Sequence, residues 1–308
     1  MYNPIGFVQK NRDKNIKVKV FYFSLEMSKE QKLVQAMSHR LFVESDAKLR
    51  VQPEQLRSVR SAVDNGILDR VAGLKDYFDE FESSVTFIDS IKHPTGIFKF
   101  MDQYAKSNGK VHMKTVEFTD NKTGEKYTNE IFDYYEPDNE DEYVIIIVDH
   151  AALLSNESGM SLHQTINKLS SDYFVKLRNR YKYIPVLIQQ QASSQESIDN
   201  MKADLLKPTL NGLGDCKLTQ RDADVILGLF SPFRFRKKKY PEENGYDIMF
   251  FRDNIRFLEV IAAREGGSNA MAPLFFDGGV NYFKELPKPG TEQLKKVRQL
   301  ITETRKQQ

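Results

Sequence analysis

Five branched apolar residues in unbroken succession, Val144-Ile145-Ile146-Ile147-Val148, run directly into Asp149 and His150. Such a run, with no polar alternation, predicts a strand covered on both faces, as in a parallel sheet flanked by helices. In open α/β sheets ligands sit beyond the carboxyl ends of the strands, so Asp149 is placed to project its charge into a binding crevice. An ionised carboxylate there calls for a cationic partner, and the usual one is Mg²⁺ carried by a nucleotide. The plain alternative is an aspartate that only caps the next turn.

Two more stretches lead to the same rim. Ile16 to Phe23 begins alternating and ends fully apolar, as a strand entering a buried sheet does, and stops at Ser24-Leu25-Glu26-Met27-Ser28. Ser28 and Gln31 form a capping-box pattern, and Leu33, Ala36, Met37 and Leu41 recur on one helical face. Glu26 therefore falls in a strand-to-helix turn, where a solvated surface glutamate is the alternative reading. After Asp149, a helix from Leu162 to Tyr181 carries Ile166, Leu169, Tyr173 and Leu177 at helical spacing and returns the chain to the short strand Ile184–Ile188. A crossover of this length makes the two strands parallel, so Asp149 and Gln189-Gln190-Gln191 end at one sheet edge. The glutamines are either a polar loop entry or neutral sensors of a phosphate.

The rest of the chain surrounds this frame. A helix from Gln52-Pro53-Glu54 to about Val63, a break at Asp64-Asn65-Gly66 and helix again from Asp69 to Phe81 read as an outer layer. Val85 to Asp89 is a short strand, and a helix runs from Pro94 to about Ala105. Lys110 to Phe118 and Lys126 to Tyr134 flank a polar turn and read as an inserted hairpin, with Glu136 to Glu142 a solvated loop behind it. Leu206 to Lys217, with Gly212 and Gly214, is a loop able to approach a ligand closely. Val225 to Phe230 and Ile255 to Ala262 are further strands, and residues 274–283 make a closing hairpin around Asp277-Gly278-Gly279. Beyond Pro287 the chain is a polar, helix-like tail. The expected fold is thus α/β: a mostly parallel sheet flanked by helices over residues 1–286, with the inserted hairpin at 110–134 and a C-terminal antiparallel hairpin.

Composition narrows the function. With 45 basic and 43 acidic residues, a net charge of +2 is no global nucleic-acid signature, so any polyanion contact is local. The one dense basic run is Arg234-Phe235-Arg236-Lys237-Lys238-Lys239-Tyr240. Its interleaved rings and cations suit stacking on bases and phosphate neutralisation, a solvated hairpin tip is as good a reading, and a nuclear-import signal is a weaker third. A single cysteine, Cys216, excludes an intrachain disulfide framework and fits a reducing cytosol as a small buried or partly exposed thiol. No run of eighteen or more apolar residues and no signal segment occurs, so no membrane partner is expected. Five histidines and one cysteine offer no zinc spacing.

Together these stretches resemble the RecA-like ATPase domain of DnaB-like replicative helicases. Phe23-Ser24-Leu25-Glu26-Met27-Ser28 is close to that family's motif after its second strand, and the Asp149 strand resembles its Walker B. Ile188-Gln189-Gln190-Gln191 resembles the sensor motif, Pro208 to Asp224 resembles the family's DNA loop and that family's Gln-Asp-Ala-Asp ending, here Gln220-Arg221-Asp222-Ala223-Asp224, and Ile261 to Gly266 resembles the segment bearing the arginine finger. The resemblance implies that Glu26 polarises the attacking water, Asp149 holds Mg²⁺ through its hydration shell and Gln190 senses the γ-phosphate of ATP. It implies that Arg264 reaches a neighbouring subunit's nucleotide, and that Gly214, Asp215 and Lys217 grip single-stranded DNA. The implied assembly is a homo-oligomer, a hexamer in this family, with primase or a loader as further partners, in the cytoplasm of a bacterial or phage-infected cell.

The departures from the family pattern are equally specific. No G-x-x-x-x-G-K-[ST] occurs in the 308 residues, so the phosphate-cradling loop with its lysine and hydroxyl is missing from them. The expectation is an N-terminally truncated product whose parent binds ATP, with Ile184 to Ile188 left as an unpaired edge where the P-loop strand pairs in the family. Ala262 stands where the family has lysine, and Gly214 where it has arginine. The extra hairpin suggests a phage-like member. A non-catalytic module that keeps the fold to bind DNA or a replisome partner is the alternative.

Overall fold

The computed structural model describes residues 2–57, 65–202, 206–267 and 270–307. In chain order α1 (Tyr2–Lys10) leads through β1 (Lys17–Ser24) to α2 (Lys29–Glu44), α3 (Pro53–Arg57), α4 (Asn65–Gly73), α5 (Lys75–Ser84), β2 (Val85–Ile88) and α6 (Pro94–Ser107). Next come β3 (Gly109–Thr119), β4 (Lys126–Pro137), β5 (Glu142–Asp149), α7 (Leu162–Asn167), α8 (Val175–Tyr181), β6 (Ile184–Leu187) and α9 (Ile198–Lys202). The chain closes with β7 (Val225–Phe230), β8 (Lys239–Tyr240), β9 (Tyr246–Asp247), α10 (Ile248–Phe251), β10 (Ile255–Ala263), β11 (Met271–Asp277), β12 (Tyr282–Glu285) and α11 (Glu292–Gln307). Two compact units interleave in sequence: residues 1–29 with 73–190, and residues 30–72 with 191–308.

The first unit holds the parallel sheet that the apolar runs predict, in the order β2-β1-β5-β6. Alternate residues of β1 face opposite layers. Phe21 and Phe23 meet Phe100 edge-on, at 5.8 and 6.0 Å between ring centroids, which docks α6. On the other face Tyr22 packs against Phe87, and Phe87 against Phe81 of α5. The crossover from β5 to β6 is helical from 162 to 181, as its spacing predicts. A capping box between Ser161 and Gln164 starts it, a π-helical stretch over Lys168–Phe174 joins α7 to α8, and Ile166, Leu169 and Leu177 are fully buried. Lys182 ends it in the left-handed conformation, at φ 61°.

The inserted hairpin is longer than its pattern suggests. β4 runs on to Pro137, because Lys110 pairs with Glu136 and Gly109 with Pro137, so the start of the acidic stretch is strand rather than loop. Tyr135 ties the base of the hairpin to the end of α6, and two more phenols bond beside it. Tyr135 donates to the carbonyls of Ala105 and Asn108 at 2.9 and 3.0 Å, Tyr181 to Asp102 at 2.5 Å, and Tyr104 to Glu142 at 3.0 Å. Burial first, and then the carboxylates accepting from Tyr104 and Tyr181, push both phenols well above the ordinary tyrosine range. Gly109 is required here, since a β-carbon would fall 2.5 Å from the Glu136 carbonyl and the Tyr135 hydroxyl.

The second unit is where sequence pattern and structure part most. The closing hairpin is half of a four-stranded antiparallel sheet, β12-β11-β10-β7, to which the strands Val225–Phe230 and Ile255–Ala263 also belong. Residues beyond Pro287 form an amphipathic helix: α11 buries Leu294, and Val297 and Ile301 pack on the Phe230, Phe251 and Phe257 cluster. Asn65 and Gly66 open α4, and the expected helix from Gln52 is described only as far as Arg57, its remainder to Val63 and the Asp64 of the expected break lying outside the described residues. Arg50 makes a two-pronged pair with Asp277, at 2.8 and 2.9 Å.

Each unit ends its sheet on a strand paired on one side only. At the edge of the first, β6 and the residue that follows it expose Ile184, Val186 and Ile188 at 43, 39 and 39 %, matching the unpaired edge expected for this segment. At the edge of the second, β7 leaves Val225, Leu227 and Leu229 exposed at 54, 55 and 51 %. Both rows have the period of two that a strand imposes.

Candidate functional site

Parallel register brings three strand ends to one edge of the first unit. β1 and β5 are paired through Ser24 and Asp149, and β5 and β6 through Val148 and Leu187. Glu26 stands two residues past the end of β1, Asp149 is the last residue of β5, and Gln190 stands three past the end of β6. Glu26 and Gln190 are exposed and Asp149 is half-buried. Two carboxylates and a carboxamide at neighbouring strand ends can bind a hydrated cation, orient a water and donate to an anion.

Backbone bonds hold this rim rigid. Leu25 N–H donates to the Asp149 carbonyl at 2.9 Å, and Ala151 N–H to the Ile188 carbonyl at 2.9 Å, so the ladder continues past the strands. Ser24 Oγ donates to the Met27 carbonyl at 2.7 Å and closes the turn that presents Glu26. Lys29 N–H, at the start of α2, donates to Asp89 at 2.9 Å.

Two further rim residues are absent from the motif reading. Tyr22 donates its hydroxyl to Oδ2 of Asp149. Tyr22 lies two residues before Ser24, the register partner of Asp149, so both side chains stand on the same face of the sheet. Within an apolar run the tyrosine reads as core, and only the β1–β5 pairing reveals its role. Lys92, in the loop after β2, donates its ammonium to the Leu25 carbonyl at 3.2 Å and brings a cation beside the Glu26 turn.

The donor set suits a metal that arrives with its ligand. No group of three or more His, Cys, Asp or Glu side chains able to hold a metal ion occurs among the described residues, so there is no all-protein cage among them. One strand-end carboxylate plus phosphate oxygens is what Mg²⁺ takes in nucleotide sites. Nδ1 of the buried His150, next along the chain, has no hydrogen-bond partner among the described residues, a polar group left for water or ligand.

In the second unit, the loop after Leu206 is organised by two short 3₁₀ turns, Leu210–Gly212 and Lys217–Arg221. Thr209 accepts from Gly212 N–H, and Ala192 N–H donates to the Gly212 carbonyl at 2.8 Å. Between the turns Asp215 is exposed, with a positive φ of 27°, and Gly214 is half-buried; Lys217, which opens the second turn, is exposed. Cys216 is buried, the first of the two states its composition left open. Arg264 is exposed: its guanidinium donates to the Arg221 carbonyl and lies 3.5 Å from Asp224.

The aromatic residues of the basic run are not free to stack on bases. Phe235 stacks on Phe230 at 5.8 Å, and Phe233 and Phe235 pack against the core cluster, while Arg234, Arg236, Lys238 and Lys239 are exposed.

A parallel sheet with acidic and amide groups at its carboxyl edge, joined in sequence to an antiparallel one, makes a RecA-like α/β fold. Among solved structures, the chain is similar to a domain described as an ATPase domain, with a TM-score of 0.59 and 15 % identity over 89 % of this chain and 76 % of that one. It is similar also to a DnaB-like replicative helicase described with its interactions with primase, with a TM-score of 0.57 and 15 % identity, over 89 % of this chain and 52 % of that one. At this identity the likeness is one of fold. No family model and no curated protein matches the sequence. Among the described residues no helix is long and apolar enough to cross a membrane.

Proposed function

We propose that this chain is part of an ATP-dependent, DnaB-like replicative DNA helicase, hydrolysing ATP with Mg²⁺ at the boundaries of a ring, a hexamer in this family, and moving along single-stranded DNA. The observation that carries the reading is the convergence of Glu26, Asp149 and Gln190 on one rim of one parallel sheet. Glu26 polarises the attacking water, Asp149 holds Mg²⁺ through its water shell, and Gln190 reports the γ-phosphate. Arg264, a planar and permanently charged donor on the surface, stabilises charge developing on a neighbouring subunit's nucleotide. Gly214, Asp215 and Lys217 hold the phosphate backbone of the strand, a grip that permits movement without reading sequence. Primase or a loader would be the partners of such an assembly.

The reading requires a phosphate loop from outside these 308 residues, since none is encoded in them. The one-sided pairing and exposed aliphatic row of β6 support it, as an edge that can accept another strand. In an assembly that supplies the loop, Glu26→Gln should lower ATP turnover by about 10²–10⁴-fold while nucleotide still binds. Turnover that survives this substitution removes Glu26 from the chemistry.

The lack of a Gly-Lys-Ser/Thr loop within these residues favours one other reading, a RecA-like module that binds DNA or a replisome partner without using nucleotide. Equilibrium dialysis with ATP and Mg²⁺ separates the two: binding by the loop-supplied assembly supports the helicase, and none supports the module.

A further inference from the structure

The basic run at 234–239 is left over from the proposed ATPase and DNA-loop machinery, and its surroundings give it a defined shape. The strands β8 and β9 form a small ribbon, with Lys239 opposite Asp247 and Tyr240 opposite Tyr246. The ribbon is fixed to the core: Tyr240 meets Phe257 at 4.6 Å and Phe230 at 5.1 Å, and Tyr246 donates to the Pro287 carbonyl at 2.9 Å. Its cations therefore project from a rigid base.

Beside the ribbon lies an open concavity of about 270 Å³. Lys238, Lys239 and Arg298 stand on its wall, and Tyr246, Phe251 and Leu294 contribute an apolar floor. The one acid lining it, Asp247, is already engaged, accepting from Phe250 N–H at 3.1 Å as the cap of α10 and pairing with Arg298 at 3.3 Å. Arg298 is also held by its stacking over Phe250, at 4.2 Å. By contrast the side chains of Arg236, Lys238 and Lys239 have no carboxylate partner among the described residues. Three cations within four residues, none of them ion-paired among the described residues, repel one another, and an external polyanion relieves that repulsion.

We propose that this concavity is a second contact for single-stranded nucleic acid, separate from the 214–217 loop. Lys238 and Lys239 on its wall, with the exposed Arg236 just before them in the chain, take successive phosphodiester groups, and the apolar floor takes the sugar or base edge between them. An acidic peptide would use the cations but not the floor. The inward packing of Phe233 and Phe235 removes base stacking on the run itself, so the contact is indifferent to sequence. It does not depend on nucleotide turnover, and it is measured without ATP.

The test is fluorescence anisotropy of a labelled twenty-nucleotide oligothymidylate titrated with the whole chain at several salt concentrations. Arg236→Ala, Lys238→Ala and Lys239→Ala combined should weaken binding at least tenfold at low salt. They should also reduce the slope of log Kobs against log[salt] by about two, at roughly 0.7 for each single-strand phosphate that is no longer neutralised. The same effect should appear with a mixed-sequence oligonucleotide. A control triple at the exposed lysines Lys48, Lys110 and Lys122 should leave the slope unchanged. An unchanged slope in the first triple, with far-ultraviolet circular dichroism showing it folded, overturns the proposal. So does displacement of the labelled strand by polyglutamate as readily as by unlabelled DNA, which would assign the surface to acidic peptides. Lys217→Ala is measured in parallel; its failure to weaken binding would count against the loop and leave the ribbon contact standing.

Discussion

The Tyr22 hydroxyl is bonded to the Asp149 carboxylate across two neighbouring parallel strands. This fixes one oxygen of the strand-end acid and leaves a half-buried carboxylate in a set orientation. Tyr22→Phe keeps the ring packed on Phe87 and removes only the donor. A hydrogen bond to a charged group contributes about 1.5–3 kcal/mol, and partial exposure of Asp149 puts the loss at the lower end. Urea denaturation should show an earlier midpoint with an unchanged m-value. In a loop-supplied assembly, the same variant should require more Mg²⁺ for half-maximal turnover.

Arg264 rests on Asp224 and the Arg221 carbonyl at the surface. An exposed pair of this kind contributes about 0–1 kcal/mol, so Arg264→Ala should leave the thermal midpoint of the chain within a degree or two. Under the proposed role it should spare nucleotide binding yet abolish turnover in the oligomer. Loss of both binding and turnover would argue against action across a subunit boundary.

The Arg50–Asp277 pair ties the segment after α2 to the turn between β11 and β12. The Asp277 carboxylate holds the Arg50 guanidinium above its ordinary pKa. Arg50→Ala takes two donors from a buried carboxylate that also accepts from the Gly279 N–H at 3.0 Å, and should destabilise the chain by about 1–3 kcal/mol. Arg50→Lys should recover part of that, because an ammonium keeps the charge and loses the fork. Chemical denaturation of the three chains side by side orders them.

His39 on α2 is held below the ordinary histidine pKa by burial, partly opposed by its contact with the Val280 carbonyl at 3.1 Å. The unfolded chain therefore takes up a proton before the folded one. This contribution to stability is intact above about pH 6.5 and is lost as pH falls below that value. The drop in thermal midpoint between pH 7.5 and 5.5 should be smaller in His39→Asn than in the unaltered chain. An equal drop in both would show that His39 does not set the acid sensitivity.

Much of the rim is legible from composition and period alone. Val144 to Val148 and Val20 to Phe23 are apolar enough that a doubly covered strand fits them best, and the helical spacing from Ile166 to Leu177 makes the connection a parallel crossover. From those two facts the positions of Asp149 and Gln190 at one edge follow without coordinates, and the parallel pairing of β1 with β5 adds Glu26. What they do there stays a proposal, because a carboxylate's place on an edge does not specify its ligand.

The amino-acid sequence by itself determined the apolar strands that carry the rim and therefore which polar residues follow them; local composition and period suffice for that. Only the tertiary structure decided that Tyr22 serves Asp149, that the phenylalanines of the basic run turn inward, that α11 packs on a core and that β10, β11 and β12 join β7 in a separate sheet. Each of those depends on register or packing between residues far apart in the chain, which no local pattern encodes.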